Sequence, residues 1–234
     1  MARALYAAGV DAVFSYAGRT AAPVAQPLPT RIGGFGGADG LAEYLRLHAI
    51  SQVIDATHPF AAQISRNAVA ACAATQTPLI VLQRPAWSPD PQDRWSLVAD
   101  TAAAVAALPD APARVFLAIG KQTLDVFAAK PQHHYLLRLV DAPDAPLPLP
   151  DCAVIIERGP FTTAGDTALM QRHAITHIVA KNAGGTGAQA KLEASRALRL
   201  PVILIERPEM PPRRIVAEVA QVMDWLHHSA RLGV

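Results

Sequence analysis

The sequence predicts an α/β protein with parallel sheets in two halves, and three observations carry that reading. Short apolar runs alternate with Ala- and Leu-rich stretches of helical length along the chain. Most of these runs are continuously apolar and rich in β-branched residues, as strands covered on both faces must be. Glycines, hydroxyls and cations gather where the runs end, the edge at which open α/β sheets take ligands.

The expected strands are 13–17, 52–56, 79–82, 115–119, 135–140, 153–157, 177–180 and 202–206. The expected helices are 38–48, 60–74, 122–129, 164–173, 187–199 and 213–228. Residues 2–9, ARALYAAG, read as the last turns of a further helix with Gly9 after its end. Proline-rich punctuation falls at 85–91, 109–112 and 143–150. The second of these precedes a fresh strand and suggests two domains, 1–111 and 112–234.

Composition narrows the function classes. With 51% hydrophobic and 17% charged residues the 234-residue chain is a folded one. No apolar run approaches the ~20 residues that span a bilayer, and the N-terminus lacks the pattern of a signal peptide. A net charge of +2 does not point to nucleic acid. Two cysteines, Cys72 and Cys152, make neither a disulfide framework nor a C-x-x-C metal pair. A cytoplasmic protein without a metal site is expected. His133-His134 and His227-His228 diverge as neighbours and make poor metal pairs.

Three segments of the first half stand out, the first and third of them at strand ends. In SYAGRT (15–20), Arg19 stands where an arginine accommodates the 2′-phosphate of NADP, with Ser15, Gly18 and Thr20 beside it; a polar turn with a solvated arginine is the competing reading. RIGGFGGADG (31–40) frees the backbone at Gly34, Gly36 and Gly37 to face a phosphate or a flat ring. It departs from G-x-G-x-x-G because Asp39 occupies the third glycine's place; Phe35 is counted with these glycines as a cofactor contact, and a core position in a tight connection is its competing reading. In DATHPF (55–60), Thr57, His58, Pro59 and Phe60 form a candidate wall for a nicotinamide. The plainer alternative is a Thr57 or His58 N-cap with Pro59 in the first helical turn.

The second half places a cation after each of three strands: Lys121 in AIGKQ, Arg158 in ERGPF and Lys181 in AKNAGG. Three cations at one sheet edge suit several carboxylates or phosphates. Residues 184–191 are not a Walker A loop, since Ala190 and Leu192 replace its glycine and hydroxyl residue.

SYAGRT, RIGGFGG, VIDATHPFAAQIS, RPAW (84–87), IGKQ, ERGPF, AKNAGG and IERP (205–208), in this order, resemble the precorrin-6A reductase family, the cobalt-precorrin form included. The resemblance implies two Rossmann-like domains with a cleft between them, the first binding NADPH and the second a macrocyclic tetrapyrrole rich in carboxylates. It implies reduction of one ring double bond, precorrin-6A to precorrin-6B, in cobalamin biosynthesis. The substrate residues would be Lys121, Gln122, Arg158, Phe161, Lys181, Asn182, Gly184 and Gly185, with Lys181 or His58 delivering the proton. A monomer would suffice. Members of the family open with a strand and a Gly-Gly-Thr-type turn ahead of the helix that here starts as MARAL, so exposed strand edges and a weakened pyrophosphate site are expected. The competing functions are a Rossmann-type reductase of another substrate and a tetrapyrrole carrier that does not bind NADPH.

Overall fold

The computed structural model describes residues 1–18, 24–143 and 145–231. In chain order the first segment runs α1 (Ala2–Ala7), β1 (Phe14–Tyr16), β2 (Thr30–Ile32), α2 (Gly37–Leu47), β3 (Val53–Asp55), α3 (Ala62–Thr75) and β4 (Leu79–Leu82). The second runs β5 (Trp95–Val98), α4 (Thr101–Ala106), β6 (Arg114–Ala118), a 3-10 turn (Asp125–Ala129), β7 (His134–Leu139), β8 (Cys152–Ile156), α5 (Thr163–Arg172), β9 (His177–Lys181), a 3-10 turn (Thr186–Ala188), α6 (Ala190–Ala197) and β10 (Val202–Ile205). The chain closes with β11 (Ile215–Val216) and α7 (Val219–Arg231).

Two compact units result: Met1–Arg84 with Glu209–Val234, and Pro85–Pro208. This corrects the boundary expected at 111/112. The physical reason is strand pairing that no local pattern announces. β5 joins β10 in parallel, Val202 opposite Trp95, which binds residues 85–111 to the second unit. β11 pairs with β4, Ile215 opposite Val81, which returns the C-terminal segment to the first.

The second unit is one six-stranded sheet of order β5-β10-β9-β6-β7-β8, with every pairing parallel. Its continuously apolar strands are covered as such strands require. Phe116, Leu136, Ile178, Ala180 and Leu204 are buried together with Leu169 and Met170 of α5 and Leu192 and Ala194 of α6. Asp100 caps α4 by accepting from the Ala103 N–H, and Thr162 caps α5 by accepting from the Gly165 N–H.

In the first unit the strands form two parallel sheets, β1-β2 and β11-β4-β3. Phe14 of β1 and Ile54 of β3 pack on the same cluster around Leu5 of α1 and Leu28, yet the two strands share no ladder. Helices α2 and α3 pack through Leu41, Ala42 and Leu45 against Ala68, Ala71 and Cys72. α7 covers β4, with Val222 and Trp225 on Ile80.

Helix ends share one device. After α1, α2, α3, α5 and α6 a residue of positive φ (Gly9, Ala49, Gln76, Ala174, Arg199) turns the chain. The following N–H then bonds back, as from Val10 to Leu5 O and from Leu200 to Ser195 O. Only Gly9 announces this in the sequence. Two helical expectations are corrected: 122–129 is a 3-10 turn over Asp125–Ala129, and 213–228 contains β11 before α7 begins at Val219. Length and composition, on which these two expectations rest, do not distinguish an α-helix from a 3-10 turn or a two-residue strand leading into a helix.

His133 is fully buried, and its Nδ1 accepts from the Ala113 N–H at 3.1 Å, which requires a neutral ring nitrogen there. Burial first, and the Lys130 charge second, push its pKa below the ordinary 6.5. The unfolded chain therefore binds the proton more readily, and this contribution to stability is complete above about pH 6.5 and lost as pH falls below it. Thermal unfolding should show Tm falling from pH 7 to pH 5, with a shallower slope in His133→Gln. An unchanged slope in that variant would remove His133 from the explanation.

Candidate functional site

Each unit gathers polar groups at the carboxyl ends of its strands. In the first unit, Thr57 is not a helix cap, because α3 begins at Ala62 with Ala61 before it and no side-chain cap. Pro59 likewise precedes the helix. Thr57 instead donates its N–H (3.0 Å) and its hydroxyl (2.7 Å) to Oδ1 of Asp55, which is buried at the end of β3. Its hydroxyl also lies 3.1 Å from Ser65 Oγ on α3. A strand end thus closes on itself as an Asx-type turn. Burial first and the Asp55 charge second push the Cys72 thiol up to about 11, so this cysteine stays protonated and inert. The turn carries His58, exposed, whose Nδ1 accepts from the Phe60 N–H at 3.2 Å. Thr57 and Pro59 line an open pocket of about 400 Å³ with Phe14, Leu82, Gln83 and Ala217.

The glycine segment divides by role. An added Cβ at Gly33, Gly34, Gly36 or Gly37 would meet nothing within 4 Å, and three of the four hold positive φ. This stretch offers open backbone. Arg31 fixes it, donating to Gly33 O (2.6 Å) and Gly34 O (2.7 Å) with its guanidinium 3.7 Å from the Phe35 ring centroid. The Phe35 ring packs against the α2–α3 core and edge-on to Tyr44, so the side chain serves the turn. Gly40, which the sequence reading passed over, is the close-packed glycine: its Cβ would fall 1.8 Å from Phe35 O. Ser15 lies beside this loop, 3.4 Å from Arg31, and a Cβ at Gly18 would lie 3.5 Å from Gly33 Cα. Arg19 and Thr20 lie outside the described residues.

In the second unit, Lys121 and Arg158 follow β6 and β8, and Lys181 is the last residue of β9, all at the carboxyl edge of one sheet. β6 and β9 are neighbours, so Lys121 and Lys181 leave adjacent strands. Lys121 and Gln122 are exposed. Arg158 is half-exposed and 3.7 Å from Asp141. Lys181 is partly buried, and that burial lowers its pKa from the ordinary lysine value.

Beneath this edge is a charged cluster that sequence reasoning missed. Arg138 of β7 meets Asp166 of α5 through two hydrogen bonds of 2.5 and 3.2 Å, both side chains buried. The Phe161 ring stacks on Arg138 at 3.7 Å, so it lids this pair. Arg138, Asp166, Phe161, Arg158 and Arg172 line an open pocket of about 500 Å³. Lys191 is buried nearby, donating to Ala188 O, with Nζ 5.1 Å from the Trp87 ring centroid. Burial first and the Arg138 charge second bring its pKa down to about 8. A charged residue inside an apolar strand such as YLLRLV was the available signal, because a buried arginine requires a buried acid.

The Asn182 side chain is committed within the protein. It accepts from the Trp87 N–H (2.8 Å) and donates to Trp87 O (3.1 Å). Gly184 is buried, with its missing Cβ 1.9 Å from Pro85 O, and Gly185 O accepts from Trp87 Nε1.

Parallel α/β units with polar groups at their carboxyl edges are of Rossmann-like type. The family model described as Precorrin-6x reductase CbiJ/CobK matches residues 1–227, and the chain belongs to that family of oxidoreductases. It is 65% identical over 236 residues to the precorrin-6A reductase of Rhodobacter capsulatus, covering 100% of this chain and 94% of that one. It is 48% identical to the Rhodococcus erythropolis precorrin-6A reductase over 96% of this chain and 93% of the relative. A solved structure, CobK precorrin-6A reductase, superimposes with a TM-score of 0.93 at 64% identity, covering 97% of this chain and 90% of that one. Among the described residues no helix is long and apolar enough to cross a membrane, and no His, Cys, Asp or Glu cluster could hold a metal ion.

Gly40→Ala should destabilise the protein by roughly 1–3 kcal/mol. The sign is diagnostic, since Gly→Ala inside a helix ordinarily stabilises by about 1 kcal/mol. A thermal melt reads it; a higher Tm would contradict the close packing of Gly40 on Phe35.

Proposed function

We propose that the chain reduces one ring double bond of precorrin-6A with NADPH, giving precorrin-6B in cobalamin biosynthesis. The observation that carries this is the match to the family over residues 1–227 joined to three cations at one sheet edge. Relatives named precorrin-6A reductase share 38–65% identity, whereas those named for the cobalt form share 26–31%. That supports the substrate form named without cobalt.

A dinucleotide suits the first unit. The open backbone at Gly33–Gly37 accepts a phosphate or ring at close range, and the pocket at Thr57 and Pro59 lies at the carboxyl ends of β3 and β4. Ser15, Gly18, Arg19, Thr20, Gly34, Gly36 and Gly37 would hold the nucleotide, with Arg19 reading the 2′-phosphate. Thr57, His58, Pro59 and Phe60 would wall the nicotinamide, their turn pinned by Asp55. When bound, the cofactor supplies a hydride to one carbon of the double bond and leaves oxidised.

The second unit takes the acidic macrocycle. Lys121, Arg158 and Lys181 pair with substrate carboxylates, and Gln122 and Phe161 flank them. The adjacent ring carbon needs a proton, and we assign its delivery to Lys181. Burial makes that ammonium a readier donor than an exposed lysine. The donor must be protonated, so its contribution to kcat is lost as pH rises through its lowered pKa.

Two substitutions separate these roles in a coupled assay of binding and turnover. Arg19→Ala should weaken NADPH by about ten- to a hundredfold and leave NADH almost unchanged. Lys181→Met should lower kcat by about 10²–10⁴ with NADPH affinity intact. Equal weakening of both nucleotides would remove Arg19 from 2′-phosphate reading. An unchanged kcat in Lys181→Met would hand the proton to His58 or water.

A further inference from the structure

The chain crosses from the first unit to the second at Arg84/Pro85 and returns at Pro208/Glu209. On the second unit's side, both crossings are tied to the same short loop after β9. The outgoing segment is held by Asn182, whose amide makes both bonds to the Trp87 backbone, by the Trp87 Nε1 bond to Gly185 O, and by Pro85 O seated over Gly184. The returning segment is held through Arg207, which donates to Asn182 O at 3.0 Å and to Ala183 O at 3.1 Å. Asn182 and Ala183 are buried, and the Asn182 N–H donates to Ile205 O. An indole under a buried lysine, Trp87 under Lys191, closes the arrangement.

From this geometry we infer that Asn182–Gly185 is a linker clamp: one loop that fixes both connections to the second unit's sheet edge, with Asn182 as a positioning residue rather than a substrate contact. The side chain best placed in the motif to meet a ligand by its chemistry, the Asn182 amide, is spent on a backbone pair like that of a strand partner. Gly184 serves the approach of Pro85, since any side chain there would strike its carbonyl. The clamp also sets the reaction's geometry locally. Lys181 directly precedes it, and the Ala183 N–H bonds Lys181 O at 2.7 Å. A loop displaced by an ångström carries Lys181 with it, and misplacement of that size costs about a hundredfold in rate.

The test combines amide hydrogen exchange with steady-state kinetics on the full chain. The kinetic half rests on the reduction proposed above; the exchange half does not. Asn182→Ala should speed exchange of the Trp87 amide by about tenfold, the loss of one buried hydrogen bond. It should lower kcat by tenfold or more while KM for precorrin-6A stays within about twofold. Asn182→Asp, which keeps the acceptor for the Trp87 N–H, should recover much of the exchange protection. Arg207→Met should loosen residues 206–208 and leave the Trp87 amide nearly protected. Should Asn182→Ala fail to fold, Arg207→Met, which removes the ties of the returning segment, and Trp87→Phe, which removes the indole tie of the outgoing one, carry the same test. Unchanged exchange at both linkers with KM raised tenfold would overturn the clamp and make Asn182 a substrate contact. Faster exchange with no measurable reduction by the parent chain would uphold the clamp and sink the reductase reading instead.

Discussion

The structure depends on one constraint: strands paired in parallel all end at the same edge. Every pairing among the described strands is parallel. Each sheet therefore delivers whatever follows its strands to one rim. That is why residues as distant in sequence as Lys121, Arg158 and Lys181 share an edge, and why the polar chemistry of this chain is written at strand ends. Arg138, a charged residue buried inside an apolar strand, is matched by a buried acid and roofed by Phe161. Removing Asp166 would leave the buried cation with only the half-exposed Glu157, 3.7 Å away, a larger cost than losing a surface pair.

Motif residues turn out to divide between contact and construction. Gly33–Gly37 leaves open space above its backbone, whereas Gly40 and Gly184 are glycines because another carbonyl occupies the place of a side chain. Thr57 and Asn182 have their hydrogen-bonding capacity spent inside the fold, on Asp55 and on Trp87. RPAW, KNAGG and IERP, which look in sequence like three separate signatures, form one assembly around Trp87, Gly184 and Arg207. A substituted asparagine or glycine here would disturb that assembly.

Much of the α/β alternation is legible from the sequence because a two-sided strand must be continuously apolar. The missed strands break that rule for physical reasons. TRI and WSLV are short and part polar, with exposed residues, and IV is only two residues long. The domain boundary was hidden for a different reason: β5 and β10 are partners although about a hundred residues apart, and nothing local marks such a pairing. Helix ends at Ala49, Gln76, Ala174 and Arg199 escaped because they adopt a left-handed turn without glycine. In the site, the cations at strand ends could be read directly. Their buried support, Arg138 with Asp166 and Lys191, could not, since its members come from three separate elements.

The most direct measurement follows the hydride. The purified chain would be given precorrin-6A and NADPH carrying deuterium at both transferable positions of the nicotinamide, and the product analysed by mass spectrometry and NMR. A reductase that uses NADPH as hydride donor yields a product with one deuterium on the newly saturated carbon, its neighbour taking hydrogen from solvent, and one NADPH consumed per product. Precorrin-6A bound by the chain but recovered unlabelled, with NADPH untouched, would contradict the reductase reading and leave a tetrapyrrole carrier in its place.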